Sequence, residues 1–260
     1  MIKKTLWYLM LILLLWTATA EAQSPAIVNG VAWLKAVQSS DGSWTNSSSS
    51  STDFYTTASV LESFATLGDT SAAYTNGLTW LQTADAKSTT YLAPRIKLTN
   101  TLGGDATNDL NTLLSYRNSG SGWGGYLIQE SSNFHTSLAL QALKSANYTD
   151  PTIINPALAY LTTSQNADGG WGFYAGDSSN VYMTAVVSAT LQQFPQMTVI
   201  ANAVGKTSVF LIAHQNSDGG FGSSPSTVYE TALAFIALVG NGQTQGLPLQ
   251  NAVNYLTTTQ

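Results

Sequence analysis

The chain has 260 residues, of which 44% are hydrophobic and only 9% charged, with a formal charge of −5. That is enough apolar material for a sizeable core under a neutral, hydroxyl-rich surface. With Arg95 and Arg117 as its only arginines and no basic cluster, the chain offers a phosphate backbone little to hold, which argues against nucleic acid as a partner. The absence of cysteine excludes disulfides and a lipoprotein anchor.

Residues 1–22 read as a signal peptide. Lys3 and Lys4 give a basic start, Leu6 to Trp16 is an apolar run short for a bilayer span, and Ala20-Glu21-Ala22 fits a small-x-small cleavage site. An uncleaved anchor is the competing reading. No later segment is long and apolar enough to span a membrane. Residues 23–260 are therefore expected to form an exported domain that is secreted, periplasmic or at the cell surface; the short basic start suits a bacterial signal.

The mature part is repetitive. Gln38-Ser-Ser-Asp41-Gly-Ser-Trp44, Gln165-Asn-Ala-Asp168-Gly-Gly-Trp171 and Gln215-Asn-Ser-Asp218-Gly-Gly-Phe221 share the pattern Gln-x-x-Asp-Gly-x-aromatic. A decayed copy runs from Arg117, in the Gln slot, to Trp123. A leucine precedes each copy by four residues, and Leu81 and Leu256 mark two weaker ones. The intervals between Leu34, Leu81, Leu113, Leu161, Leu211 and Leu256 are 47, 32, 48, 50 and 45 residues. A full interval holds two helices and two connections, whereas the 32-residue interval must have lost part of a loop or a helix.

A second signature, aromatic-x-Thr, follows the Asp slot by 14 residues at Tyr55-Thr56-Thr57, Phe134-His135-Thr136 and Tyr182-Met183-Thr184, and by 11 at Tyr229-Glu230-Thr231. Tyr91 is the corresponding residue of the short unit. Each signature opens an Ala- and Leu-rich run that is apolar nearly all round, the mark of a helix buried on most sides. Helices ahead of the Asp-Gly turns, such as 155–164, are more amphipathic. Each unit thus reads as an outer helix, a Gly-rich turn and an inner helix, and the fold as all-α. Periodicity alone leaves an α-solenoid and a closed α/α barrel both open.

The pattern Gln-x-x-Asp-Gly-Gly-Trp-Gly, recurring about every 48 residues from Val31 to Gln260, resembles the repeat of squalene and hopene cyclases, whose superfamily includes prenyltransferase β subunits. The resemblance implies an α/α toroid, with inner helices around a central cavity and outer helices around them. It also implies that Gln38, Gln165 and Gln215, with Trp44, Trp123, Trp171 and Phe221, tie each turn to the neighbouring unit. Physical chemistry agrees with a scaffold role. Asp41, Asp168 and Asp218 can accept backbone N–H bonds, glycine can take positive φ, and the Gln amide can satisfy orphan groups at a helix end.

The residues that make those relatives enzymes are missing. No Asp-x-Asp-Asp occurs, and Asp105 with Asp109 reads as a helix N-terminus favoured by the macrodipole. Zinc ligation of the prenyltransferase kind requires a cysteine. His135 and His214 fall in different slots of different units, so neither metal nor cofactor is expected. The expected function is a non-catalytic binding module. Tyr55, Phe134, Tyr182 and Tyr229 should ring one mouth of the cavity, and His135 and Glu230 should add specificity toward an apolar or glycan-like ligand, or toward further domains of the same chain. Plain packing of these aromatics is the competing reading. The alternatives are a terpene cyclase-related enzyme whose acid motif lies outside this segment, or a structural repeat of a large surface protein. Leu256 standing four residues before Gln260 suggests a toroid that is incomplete and continues further.

Overall fold

The structure, a computed structural model, describes residues 25–45, 52–195 and 198–259. The signal-peptide reading of residues 1–22 and the motif start at Gln260 lie outside them. The described residues contain eleven helices and no strand, only three isolated β-bridges. The chain divides into two compact units, residues 1–38 and residues 39–260. The first carries α1 (Pro25–Ala36) and, after it, Gln38.

The second carries ten helices in two layers. The inner layer is α2 (Asp53–Thr66), α4 (Thr89–Thr101), α6 (Asn133–Ser145), α8 (Val181–Leu191) and α10 (Val228–Gly240), each packed on the next. The outer layer is α3 (Ala72–Thr83), α5 (Thr107–Ser115), α7 (Pro151–Thr163), α9 (Thr198–Ala213) and α11 (Leu247–Thr258), each against neighbouring inner helices. This is the α/α toroid arrangement. The all-round apolar runs are the inner helices: α8 buries eight of its eleven residues.

Four of the five inner helices begin on a polar residue that accepts the N–H three residues on. Thr52, Ser132, Asn180 and Thr227 receive the amides of Tyr55, His135, Met183 and Glu230. Such caps satisfy donors that the first turn leaves without partners, and they set where each aromatic-x-Thr signature starts.

The 32-residue interval lost its loop, not a helix. In the intact unit residues 164–180 join α7 to α8, whereas residues 84–88 alone join α3 to α4. The Asp105/Asp109 pair also separates. Asp105 accepts from the Thr107 amide at 2.9 Å, while Asp109, in the first turn of α5, binds the Arg95 guanidinium through two bonds of 2.6 and 2.7 Å.

Candidate functional site

The repeated motif proves to be a clamp. Asp168 Oδ1 accepts from the Gly170 amide at 2.9 Å and the Ser179 hydroxyl at 2.8 Å, and Asp218 accepts from Gly220 at 2.9 Å and Ser226 at 2.7 Å. Asp41 accepts from both the amide and the hydroxyl of Ser43. These bonds hold Asp41 and Asp218 below the usual carboxylate range. Gln165 Nε2 donates to Gly169 O within its turn and to Ala203 O on α9, both at 2.9 Å; Gln215 repeats this with Gly219 O and Pro248 O. The Asp-Gly glycines permit the approach. Gly169 has φ +88°, and a Cβ there would lie 2.6 Å from the Lys206 carbonyl of α9. Any side chain would drive the two units apart.

The aromatic positions are equally structural. Trp123 and Trp171 are fully buried and donate through Nε1 to Leu113 O and Leu161 O, each at 2.7 Å. Trp44 sits under Gly77 of α3, and Phe221 is fully buried. The threonine of aromatic-x-Thr has a partner that sequence reasoning missed. Thr57, Thr136, Thr184 and Thr231 accept the backbone N–H of Trp44, Trp123, Trp171 and Phe221 at 2.9–3.0 Å. The constant 13-residue offset in three copies is the signal that could have revealed this bond. It seats the start of four of the five inner helices, each on its own turn.

That seating brings the aromatic members together. Phe134 and Tyr182 lie 6.1 Å apart by ring centroid, Tyr182 and Tyr229 lie 6.0 Å apart, and the hydroxyls of Tyr229 and Tyr55 meet at 3.4 Å. The first and last inner helices thus touch through two phenols. Burial raises the pKa of all three tyrosines, with their mutual proximity adding to it; Tyr55 is pushed up to about 12.

Two chambers share Tyr55, Phe134 and Tyr182. The upper one, about 600 Å³, lies at the N-terminal ends of the inner helices. Its walls include Tyr91, Phe134, Phe173 and Tyr182, with His135, Gln129 and Ser88 as polar members. No Asp, Glu, Lys or Arg lines it among the described residues. The lower one, about 350 Å³, runs between the five inner helices and is faced by one stripe of each, such as Tyr182, Val186 and Ala189 of α8, with Gln193 just beyond its end. Glu62 is the only carboxylate on its wall among the described residues, and Lys97 engages it at 2.7 Å.

Two expected specificity residues fare differently. His135 lines the upper chamber, 9% exposed, and burial lowers its pKa to about 4. Glu230 lines neither chamber; its carboxylate accepts from the Thr227 hydroxyl at 3.0 Å and lies against Gly222. The 11-residue spacing in the last unit, in place of 14, puts that turn beneath it. Met183, in the same slot, is buried in the core. Phe173 and the Gly125 region were not anticipated, since they sit in turns whose length varies between copies. No cluster of three His, Asp or Glu suited to a metal ion occurs among the described residues.

The family model of the squalene-hopene cyclase C-terminal domain matches residues 126–260. No curated protein matches the chain in sequence. Among solved structures, a variant of the type II terpene cyclase MstE from Scytonema, in complex with its substrate geranylgeranyl dihydroxybenzoate, superposes with a TM-score of 0.74 at 16% identity, covering 91% of this chain and 78% of that one. A protein from Actinoplanes gives 0.70 at 16% identity, over 90% and 79%. The ent-copalyl diphosphate synthase from Streptomyces platensis gives 0.66 at 19% identity, over 79% of this chain, which spans only 44% of the synthase. At these identities the likeness is one of fold.

Proposed function

Since the chain belongs to the squalene-hopene cyclase C-terminal domain family, we propose that it uses the family's toroid as a non-catalytic, exported module that holds an apolar ligand in the two chambers. The observation that carries this reading is the chamber wall itself. It is aromatic and aliphatic with a few polar tips, the usual make-up of a small-molecule site. Protonating an unactivated hydrocarbon requires a strong acid, and the one carboxylate on the wall among the described residues, Glu62, is bound to Lys97. The tyrosines are made weaker acids still by their burial. Export is supported by the basic-apolar-small pattern of residues 1–22.

A second reading has its own support. The family match, together with a chain that spans 44% of the Streptomyces synthase, fits a terpene cyclase-related enzyme whose acid motif lies in another segment. Purified protein extracted into organic solvent and read by mass spectrometry separates the two when paired with an activity assay. Recovery of a bound apolar compound, with no conversion of added linear polyprenoids, supports the binding module. Cyclised product that vanishes with Glu62→Gln would overturn it.

A further inference from the structure

The upper chamber contains a hydrogen-bond donor fixed in one state. Ser132 is fully buried, and its Oγ accepts the His135 amide at 3.1 Å. The one hydrogen on that hydroxyl has a single acceptor within reach among the described residues, His135 Nδ1 at 2.8 Å. Nδ1 is therefore the acceptor and Nε2 carries the proton. The ring is braced edge-on against Phe173, with centroids 5.6 Å apart and planes at 88°. Nε2 has no partner among the described residues, although the side chain is nine-tenths buried.

Gly125 keeps the space over that nitrogen open. A Cβ at Gly125 would stand 3.1 Å from His135 Nε2 and 2.7 Å from Gln129 Oε1, which accepts the Tyr126 amide and so folds the turn away. Because no charged side chain among the described residues lines this chamber, an ionised head group would be desolvated there without a counter-ion.

We propose that His135 Nε2–H, held by Ser132 and uncovered by Gly125, reads an uncharged acceptor oxygen on the head of an otherwise apolar ligand, such as a phenol, alcohol or ketone oxygen, and that the upper chamber rejects phosphorylated heads. The apolar remainder lies along the aromatic wall toward Tyr55 and Tyr182 and into the lower chamber. This rests on the cavity-binding reading above. His135 positions the ligand; the proposal gives it no chemical step.

The test uses the full chain and three matched probes, 4-hexylphenol, hexylbenzene and hexyl phosphate, titrated by calorimetry. The wild type should prefer the phenol over hexylbenzene by about five- to tenfold, the worth of one well-made hydrogen bond, and should bind the phosphate weakest. His135→Phe should erase the preference while leaving hexylbenzene affinity within about twofold. Gly125→Ala should weaken the phenol selectively. Nitrogen-15 spectra of the two histidines should show Nε2 of His135 protonated at neutral pH and shifted by the phenol, which keeps the idea testable if His135→Phe fails to fold. Hexylbenzene bound with no preference for the phenol, an unchanged preference in both variants, or the phosphate binding tightest would overturn this inference alone. No binding of any probe would instead bring down the cavity-binding reading itself.

Discussion

The intact unit formed by α7 and α8 and the short unit formed by α3 and α4 solve one problem in two ways. Both must fasten the end of an outer helix to the following unit. In the intact unit, residues 164–180 do so with Gln165 on Ala203 O, Gly169 against the Lys206 carbonyl, and Trp171 between the layers. The short unit has no such turn. Arg95, from its inner helix, donates to Ala84 O at the end of α3 at 2.7 Å and binds Asp109 of the next outer helix. An ion pair replaces a loop. The trade has a consequence for function, because the wall built by Ser88, Thr90 and Tyr91 of the short unit borders the upper chamber. Where a full turn would cover the inner-helix ends, the short one leaves them open.

This comparison can be broken at several points. The largest effect is expected from Trp171→Ala. Losing a fully buried indole that also bonds Leu161 O should cost ~3–5 kcal/mol in urea unfolding. A smaller loss would mean that the aromatic is not what joins the layers. Arg95→Met should come next, at ~2–3 kcal/mol, since it strands Asp109 and leaves Ala84 O without its donor; the two side chains are only 15% and 22% exposed. If Asp109→Asn costs nothing, the ion pair is not the substitute for the missing turn. Gly169→Ala and Gly176→Ala share a positive φ, +88° and +87°, but a Cβ meets backbone only at the first. The first should cost ~2 kcal/mol or more and the second ~1, as read by melting temperature. Equal costs would show that close approach between units is unimportant.

The remaining effect is on pH dependence. His135 sits well below its ordinary 6.5, at about 4, because burial penalises its charged form. The unfolded chain therefore takes up the proton first. Its contribution to stability is complete above about 6.5 and is lost as pH falls toward 4, on the order of 1–2 kcal/mol for a site opening on a chamber. His135→Gln should flatten that part of the curve. A wild-type stability that rises on acidification would contradict the neutral assignment.

Much of the scaffold was legible because the repeat writes the same contacts several times. Three Asp-Gly turns and the recurring aromatic-x-Thr signature were enough to separate inner from outer helices and to single out Phe134, Tyr182, Tyr229 and Tyr55, whose rings lie side by side in the structure. The illegible parts depend on departures from the repeat. Glu230 turns aside because its own turn is three residues shorter than the others. The upper chamber owes its opening to residues the short unit lacks, which no pattern of residues present can announce. His135 was visible as a variable residue in a cavity slot, but its single tautomer depends on Ser132, which the sequence presents only as a helix cap.

The central claim is that the meeting of Tyr55, Tyr182 and Tyr229 belongs to a binding cavity and is not merely packing. Equilibrium binding of Nile red, an uncharged apolar probe, to the wild type and to Tyr182→Ala and Tyr229→Ala, with melting temperatures measured on the same samples, tests it directly. Both variants should stay folded, with melting points within about 4 °C of wild type and Nile red affinity altered by about threefold or more. Variants that lose their cooperative melt, or that stay folded and bind the probe as the wild type does, would show that these tyrosines serve the core alone.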